Sequence, residues 1–502
     1  MASIARLGLI ISGIFRRTAP DPLVLAILLT VATAALAIAF GASQSTLGAT
    51  AAGVDHAGGE VAPSLLRRVF ASSLSTFDAW RGDDGLWKLL AFAMQMCLVL
   101  VSGHALAAAA PVRRGLARLA SLPSGTASAT WMVATVSCAA GLVNWGLGLV
   151  TGAILAREVG RQLASRGIAA HYPLLCAAGY TCMLLWHGGL SGSAPLSVTT
   201  PQAAAAVMPP EMVSRLVGDG IPLSQTLFSP LNLFVSGGLL VIVPLALMLL
   251  APRDPREMVA PPPSIRSAAS APTGAPAESD PFGDAAAAAS AEGPGFAERL
   301  VHARWPALLL GLALLAATIR YVELRGIGSI GLNQVNGTML ALGAILHGSL
   351  ARWMAAIEEA ARGCAGILVQ FPLYAGILAM LGASGLLARF AGAMTEFGSA
   401  TTVPFTSFVT AGIINLLVPS GGGQWAIQGP IALDAARSLG IAPGRMVMSV
   451  AYGDQLTNML QPFWALPLLA IARISAAEIV GYTALAMTVA FVWIALCLAL
   501  VP

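Results

Sequence analysis

The chain has 502 residues, 57% of them hydrophobic and only 10% charged, with a mean hydropathy of +0.79, whereas a soluble globular domain carries about 25% charged residues. That excludes a water-soluble domain, and the net charge of +4 comes from arginines scattered through loops without interleaved aromatics, which excludes a nucleic-acid partner. Apolar runs of about 20 residues without barrel-like alternation require an all-α integral membrane protein with the lipid bilayer as its surroundings, because hydrocarbon offers backbone groups no hydrogen-bond partner outside a helix.

Residues 1–20, with Arg6, Arg16 and Arg17, are expected as a cytoplasmic N-terminus, and the first span, 21–41, is too long for a signal-peptide core. The loop 42–85 then lies outside, and span 86–110 returns to Arg113, Arg114 and Arg118. Block 126–156 begins and ends on the arginine-rich side. Its middle, GLVNWGLGLVTG (141–152), places four glycines and an asparagine where a re-entrant hairpin would turn. Spans 172–195 and 227–250 complete a first membrane repeat over 21–251. Residues 252–303, rich in Pro, Ala, Ser and Gly, are expected as a disordered cytoplasmic linker.

An extra helix near 305–320 follows. Spans 327–350 and 363–385, a broken block at 402–437, and spans near 446–473 and 478–501 then repeat the earlier order within 304–502, and the extra helix inverts this second copy. AGLVN (140–144) aligns with AGIIN (411–415), and Tyr180 and Tyr452 follow their asparagines by 36 and 37 residues. Chance likeness between Gly/Ala-rich helices is the competing reading of the five-residue match. The matching positions of the breaks favour two inverted-topology repeats, each with a re-entrant helical hairpin and a broken transmembrane helix.

Non-helical backbone at membrane depth is tolerated only inside protein or beside a watery cavity, so NLLVPSGGGQWAIQGP (415–430) marks a site. A half-helix starting after Ser420, Gly421, Gly422 and Gly423 presents unpaired N–H groups suited to a carboxylate, with Asn415, Gln424 and Trp425 beside it. The first-half counterpart is Asn144, Trp145 and Gly146. Two further spans are interrupted by HGGLSGSAP (187–195), with His187, Ser191 and Ser193, and by YGDQLTNMLQP (452–462), with Asp454, Gln455 and Asn458. An intramembrane acid is a functional candidate by default, so Asp454 reads as a cation ligand or proton carrier, or else as a structural partner of Asn415.

His187 and His104 are proton carriers near neutral pH or satisfied structural residues. Trp145, Trp186, Trp425 and Trp464 lie close to the four breaks, as an apolar wall for an acyl chain or as packing. Lys88, the one lysine, is expected to snorkel. Six cysteines without CxxC or paired-histidine spacing read as packing residues, so no metal site and no cofactor is expected beyond a coupling ion, Na⁺ or H⁺. A membrane acyltransferase using either histidine as base needs a nucleophile beside an acid at catalytic spacing, which the sequence does not display.

The segments DPLVLAILLT, WKLLAFAMQM, SGHALA, VNWGLGLVTGAILAREV, GILVQFPLYAGI, NLLVPSGGGQWAIQGP and AYGDQLTNMLQPFWALPLLAIA together resemble the bacterial short-chain fatty acid transporter family, from about residue 20 to the C-terminus except in the linker. The N-x-x-x-P-S-G element also resembles the second hairpin of the wider ion-transporter superfamily, which includes dicarboxylate carriers. The resemblance implies cation-coupled uptake of short monocarboxylates such as acetoacetate or butyrate across the bacterial inner membrane, with a dicarboxylate as the alternative cargo. It also implies an elevator-type carrier, in many members a homodimer, and carries over Asn144, Ser420 to Gly423, Gln424 and the 452–458 stretch as site positions. The chain departs from the family pattern at TCMLLWHGGLSGS, where a glycine-rich stretch without the histidine is expected.

Overall fold

The structure, a computed structural model, describes residues 22–43, 65–205, 208, 212–266, 295–326, 330, 332–386, 389, 398–417, 421–461 and 464–501. Residues 1–20, Ser420 and the centre of the linker, to which expectations attach above, lie outside these. The described chain is helical, with no strand. Five helices are long and apolar enough to cross a bilayer, among them Pro230–Leu249, Arg304–Arg325 and Ala476–Leu500. Arg304–Arg325 buries little and turns Leu308, Leu309, Leu312 and Ile319 outward, as suits a lipid-facing helix.

In the first half, α1 (Pro22–Ser43) packs on α2 (Leu65–Arg81). α3 (Leu90–Ala108) then bends by 71° at Ala109 into α4 (Ala110–Ala120), where Pro111 sits in the first turn and α4 carries Arg113, Arg114 and Arg118 on an amphipathic surface. α5 (Thr126–Val143) and α6 (Trp145–Ser165) form a helical hairpin broken at Asn144, whose backbone is extended (φ −157°, ψ 129°). The arms are antiparallel: Ser137 Oγ reaches Gly148 O at 3.2 Å, and a Cβ on Gly148 would lie 2.6 Å from Gly141 Cα. Glycine is required for so close a crossing, the usual device between helices that lack a hydrophobic driving force in lipid.

α7 (Tyr172–Tyr180) follows, passes into short 3-10 turns at Thr181–Leu184 and Trp186–Gly188, and resumes as a single helical turn at Ser193–Ser197 before α8 (Pro230–Leu249). The second half runs α9 (Arg304–Arg325), α10 (Leu332–His347), α11 (Leu350–Ala361), α12 (Ala365–Ala383), then α13 (Val403–Leu417) and α14 (Gly421–Leu439). The broken helix comes next, as α15 (Pro443–Thr457), a 3-10 turn at Asn458–Leu460 and α16 (Leu466–Ala472), before α17 (Ala476–Leu500). Asn415 is not the counterpart break. It lies inside α13, which ends at Leu417, because its side chain is engaged by α15 rather than turned onto its own backbone.

The halves interlock reciprocally. The Ser193–Ser197 turn packs on α14, the hairpin helix of the second half, while α16 packs on α6, the hairpin helix of the first. The two tyrosines match this exchange. Tyr180 donates to the carbonyls of Asn458 and Gln461 (2.9 and 3.0 Å) at the second-half break. Tyr452 donates to Asn232 Oδ1 (3.2 Å), and Asn232 Nδ2 in turn holds Gly188 O (2.9 Å) at the first-half break.

The expected linker is ordered over its first part. Val259 accepts from Tyr172 N (2.8 Å) and donates to His171 Nδ1 (3.1 Å), Pro261 lies beside Gly160, and Ile265 is buried. A proline-rich composition limits helix formation but leaves isolated apolar side chains and main-chain groups able to dock, so composition alone understates burial here. The remainder, 267–294, lies outside the described residues.

Tyr180→Phe is expected to leave the buried Gln461 carbonyl without its donor and Asn458 O with only the Gln461 N–H, and to destabilise the protein by about 1–3 kcal/mol. Thermal unfolding of the detergent-solubilised protein reads this as a lowered midpoint, and an unchanged midpoint would deny the brace its role.

Candidate functional site

α14 begins against the first-half break. A Cβ on Gly421 would meet His187 Nε2 at 2.8 Å and Ser193 Oγ at 2.7 Å, so the positive end of a 19-residue helix abuts these side chains only because residue 421 is glycine. Gly422 and Gly423 complete its first residues and are buried. His187 is fully buried, stacked on Trp186 with ring centroids 3.8 Å apart. Its Nε2 lies 2.9 Å from Ser193 Oγ, and its Nδ1 lies 3.0 Å from Ala451 O and 3.2 Å from Asp454 Oδ1. The contact with Asp454 is ionic in distance, yet the Nδ1–H is directed to the carbonyl, and neither Asp454 oxygen has a hydrogen-bond partner among the described residues.

The sequence displays no such pairing, because His187 and Asp454 are 267 positions apart. Ser193, His187 and Asp454 form one continuous line, drawn from two chain segments that only the interlocked fold brings together.

The bland reading of Asp454 as a partner of the Asn415 side chain holds for its backbone alone. Asn415 Nδ2 donates to Asp454 O (2.7 Å), Thr457 Oγ1 (2.9 Å) and Asn458 Oδ1 (3.0 Å), while Asn415 O accepts from Gln461 Nε2. Thr457 Oγ1 also donates to Gly412 O at 3.0 Å. Asn415 therefore ties α13 to the carbonyls freed where α15 stops.

The first hairpin presents a different arrangement. Asn144 caps α6, its Oδ1 accepting from Leu147 N at 2.8 Å, and Trp145 N donates to Ser191 Oγ at 2.9 Å. Trp145 meets Trp464 edge-on at 5.4 Å, and Phe371 meets Trp464 at 6.1 Å; together with Tyr374, Gln370 and Leu466 they line a small, mainly apolar cavity. The four tryptophans do not form one wall. Trp186 covers His187, and Trp425 is buried beside Gly429. Gly146 serves helix contact, since a Cβ there would lie 2.6 Å from Val99 O. Gln424 folds back onto Ala411 O (2.9 Å) and Gln428 Oε1 (3.0 Å).

A set of buried polar atoms has no hydrogen-bond partner among the described residues: Asn144 Nδ2, Asn415 Oδ1, Gln424 Oε1, both carboxylate oxygens of Asp454, both amide atoms of Gln455, Asn458 Nδ2 and Gln461 Oε1. Such atoms are uncommon in folded proteins, and several of them gather at the two helix breaks. Among the described residues no cluster of three or more His, Cys, Asp or Glu could hold a metal ion. His104 stands apart, 3.8 Å from Glu359 Oε2, and Lys88 pairs with Asp84 at the surface. Sequence reasoning passed over Asn232; Thr457 and Gln461 lie within the YGDQLTNMLQP segment but were not singled out.

Comparison with known proteins gives the family. The family model described as short chain fatty acid transporter matches residues 3–501. An Escherichia coli protein provisionally named a short-chain fatty acid transporter is 36% identical over 483 residues, covering 95% of this chain and 96% of its own; one from Haemophilus influenzae with the same provisional name is 35% identical over 492 residues, covering 97% of each. Among solved structures, the Alcanivorax borkumensis YdaH transporter overlaps with a TM-score of 0.47 at 17% identity, covering 95% of this chain and 98% of that one, and Neisseria gonorrhoeae MtrF with a TM-score of 0.39 at 14% identity, covering 95% of each, overlaps too loose to decide the fold. The chain is thus a multi-pass transporter of the bacterial inner membrane rather than an enzyme, and it belongs to the short-chain fatty acid transporter family.

Proposed function

We propose that the chain is a cation-coupled symporter that takes up short-chain monocarboxylates such as acetoacetate or butyrate. The observation that carries this reading is the abutment of the α14 N-terminus on His187 and Ser193, with the unpartnered Asp454 carboxylate immediately behind. A helix N-terminus favours a carboxylate, and a buried acid without a partner favours a cation. The two recognise opposite charges within one buried place, as coupled transport of an anion and a cation requires.

Each hairpin is, in this reading, a re-entrant element, and the reciprocal packing of the two halves supports inverted repeats. The carboxylate is held at Gly421 to Gly423, and Asp454, Gln455, Asn458 and His187 serve the coupling ion. Asn144, Trp145 and Ser191 form the companion break, where the cavity beside Trp464 has the apolar lining a short acyl chain needs. Elevator-type movement carries the broken elements as one body against the remaining helices, and a second copy of the chain would steady the latter. A ligand drives exchange between inward and outward states only by binding them unequally, which the differing contacts at the two breaks permit.

Reconstituted liposomes separate a carrier from a channel. Labelled acetoacetate and butyrate are expected to show saturable counterflow, with succinate excluded; uptake that fails to saturate, or a preference for succinate, would replace this reading. Asp454→Asn is expected to slow gradient-driven uptake by about tenfold or more while counterflow of preloaded substrate changes little, a separation within the usual range of coupling energies. Equal, wild-type rates in both assays would remove Asp454 from coupling. Gly421→Ala sets a methyl group against Ser193 and the His187 ring, and is expected to raise the KM for carboxylate by about tenfold or more, the cost of overpacking by a kcal/mol or two. An unaltered KM would place the carboxylate elsewhere.

A further inference from the structure

We propose that the coupling ion is a proton, carried on Nε2 of His187, and that one proton accompanies each carboxylate. This rests on the carrier reading above and names its cation. The tautomer follows from geometry. Ala451 O can only accept, so His187 Nδ1, 3.0 Å away, carries a hydrogen. Nε2 then holds a lone pair, which accepts from Ser193 Oγ at 2.9 Å and stands 3.5 Å from Ala194 N. The imidazole is therefore neutral as folded, with its basic nitrogen turned to Gly421, the position where the carboxylate is placed.

Charge balance supplies the rest. The titratable and charged groups around His187 can be named element by element. α15 contributes Asp454 Oδ1 at 3.2 Å, Tyr452, whose hydroxyl donates to Asn232, and Arg445, more than two turns away and bonded to Val501 O and Leu498 O. α14 contributes Asp434, paired with Arg215 at 3.1 Å in an exposed position, and Arg437, which donates to Arg215 O. The 181–184 turn adds Cys182, α7 adds Tyr180, bonded to Asn458 O and Gln461 O, and α5 adds Cys138; α8 carries no ionisable side chain.

None of these is a fixed cation within reach of Gly421. A carboxylate arriving alone would bring a negative charge into a buried place that offers no fixed cation to balance it, and burying an uncompensated charge is costly. A proton on Nε2 removes the conflict. The imidazolium keeps its Nδ1–H on Ala451 O and gives its Nε2–H to the carboxylate, and the Ser193 hydroxyl, with no lone pair left on Nε2 to receive it, turns its hydrogen to the carboxylate as well. The site gains one positive and one negative charge together. When the carboxylate departs, the proton on Nε2 leaves with it and Ser193 donates to Nε2 again, so each cycle moves one carboxylate and one proton and no net charge.

The test uses the full chain in liposomes loaded with a pH-sensitive dye, labelled acetoacetate as probe, and protein-free liposomes to subtract leakage of the free acid. An acidic exterior in sodium-free buffer is expected to drive accumulation, with one proton reported per acetoacetate, and clamping the membrane potential with valinomycin and K⁺ is expected to alter the rate by less than about twofold. His187→Gln is expected to weaken carboxylate binding and, in whatever counterflow remains, to abolish the dependence of accumulation on external pH, lowering it by about tenfold or more. Accumulation driven by a sodium gradient at equal pH, dependence on the potential, or wild-type accumulation by His187→Gln would each overturn the proposal. If the variant misfolds and loses counterflow as well, the proton count of the unaltered protein decides. Wild-type counterflow with no accumulation under either gradient overturns the coupling and spares the carrier; absent wild-type counterflow overturns both.

Discussion

A peptide group released from a helix in hydrocarbon has no water to turn to, and the architecture of this protein follows from how it meets that demand. Among the described residues, α7 and α15 each give way to short 3-10 turns. Their freed carbonyls at Gly188, Asp454, Asn458 and Gln461 are taken up by side chains from elsewhere: Asn232, Asn415 and Tyr180. Because Tyr180 belongs to the first half and serves the second, and Tyr452 reaches Asn232 in return, the breaks hold the halves together rather than weakening them. Glycines at 141, 148 and 421 make the approach possible by leaving room that any side chain would fill.

Among the described residues, unpartnered buried polar atoms also occur elsewhere, at Trp80, Asn336 and Trp353 for example, but several gather where α15 ends. Backbone groups at the breaks are served, whereas the side chains of Asp454, Gln455, Asn458 and Gln461 retain unpartnered atoms among the described residues. Each buried unsatisfied polar atom costs about 1–3 kcal/mol, and several together rival the whole stability of an ordinary domain. Substitution by apolar residues would relieve that cost at once. In the proposed reading, a ligand completes them for part of each cycle.

The sequence made the membrane class and several apolar spans legible, because length and apolarity act locally. The interruption at Asn144 is of this kind, whereas Gly421 to Gly423, expected ahead of a half-helix, lie within α14. Contacts between halves were not legible. His187 and Asp454 lie more than two hundred residues apart, and nothing in either segment signals the other. Asn415 misled by analogy: its five-residue match with the Asn144 segment suggested a break, but Asp454 O, Thr457 and Asn458 engage its side chain and the helix runs on to Leu417. The tryptophans misled by proximity in sequence, since only Trp145 and Trp464 meet.

The central claim is that a carboxylate binds between the first turn of α14 and the His187 ring. Solid-state NMR recoupling between an isotope-labelled carboxylate carbon of bound acetoacetate and labelled nitrogens of the protein measures that placement directly. The expected result is strong dephasing by a histidine ring nitrogen and by glycine amides, the histidine contribution vanishing in His187→Gln while the glycine contribution persists. Dephasing by tryptophan indole nitrogen with none from histidine or glycine would put the carboxylate in the aromatic cavity beside Trp145 and contradict the account.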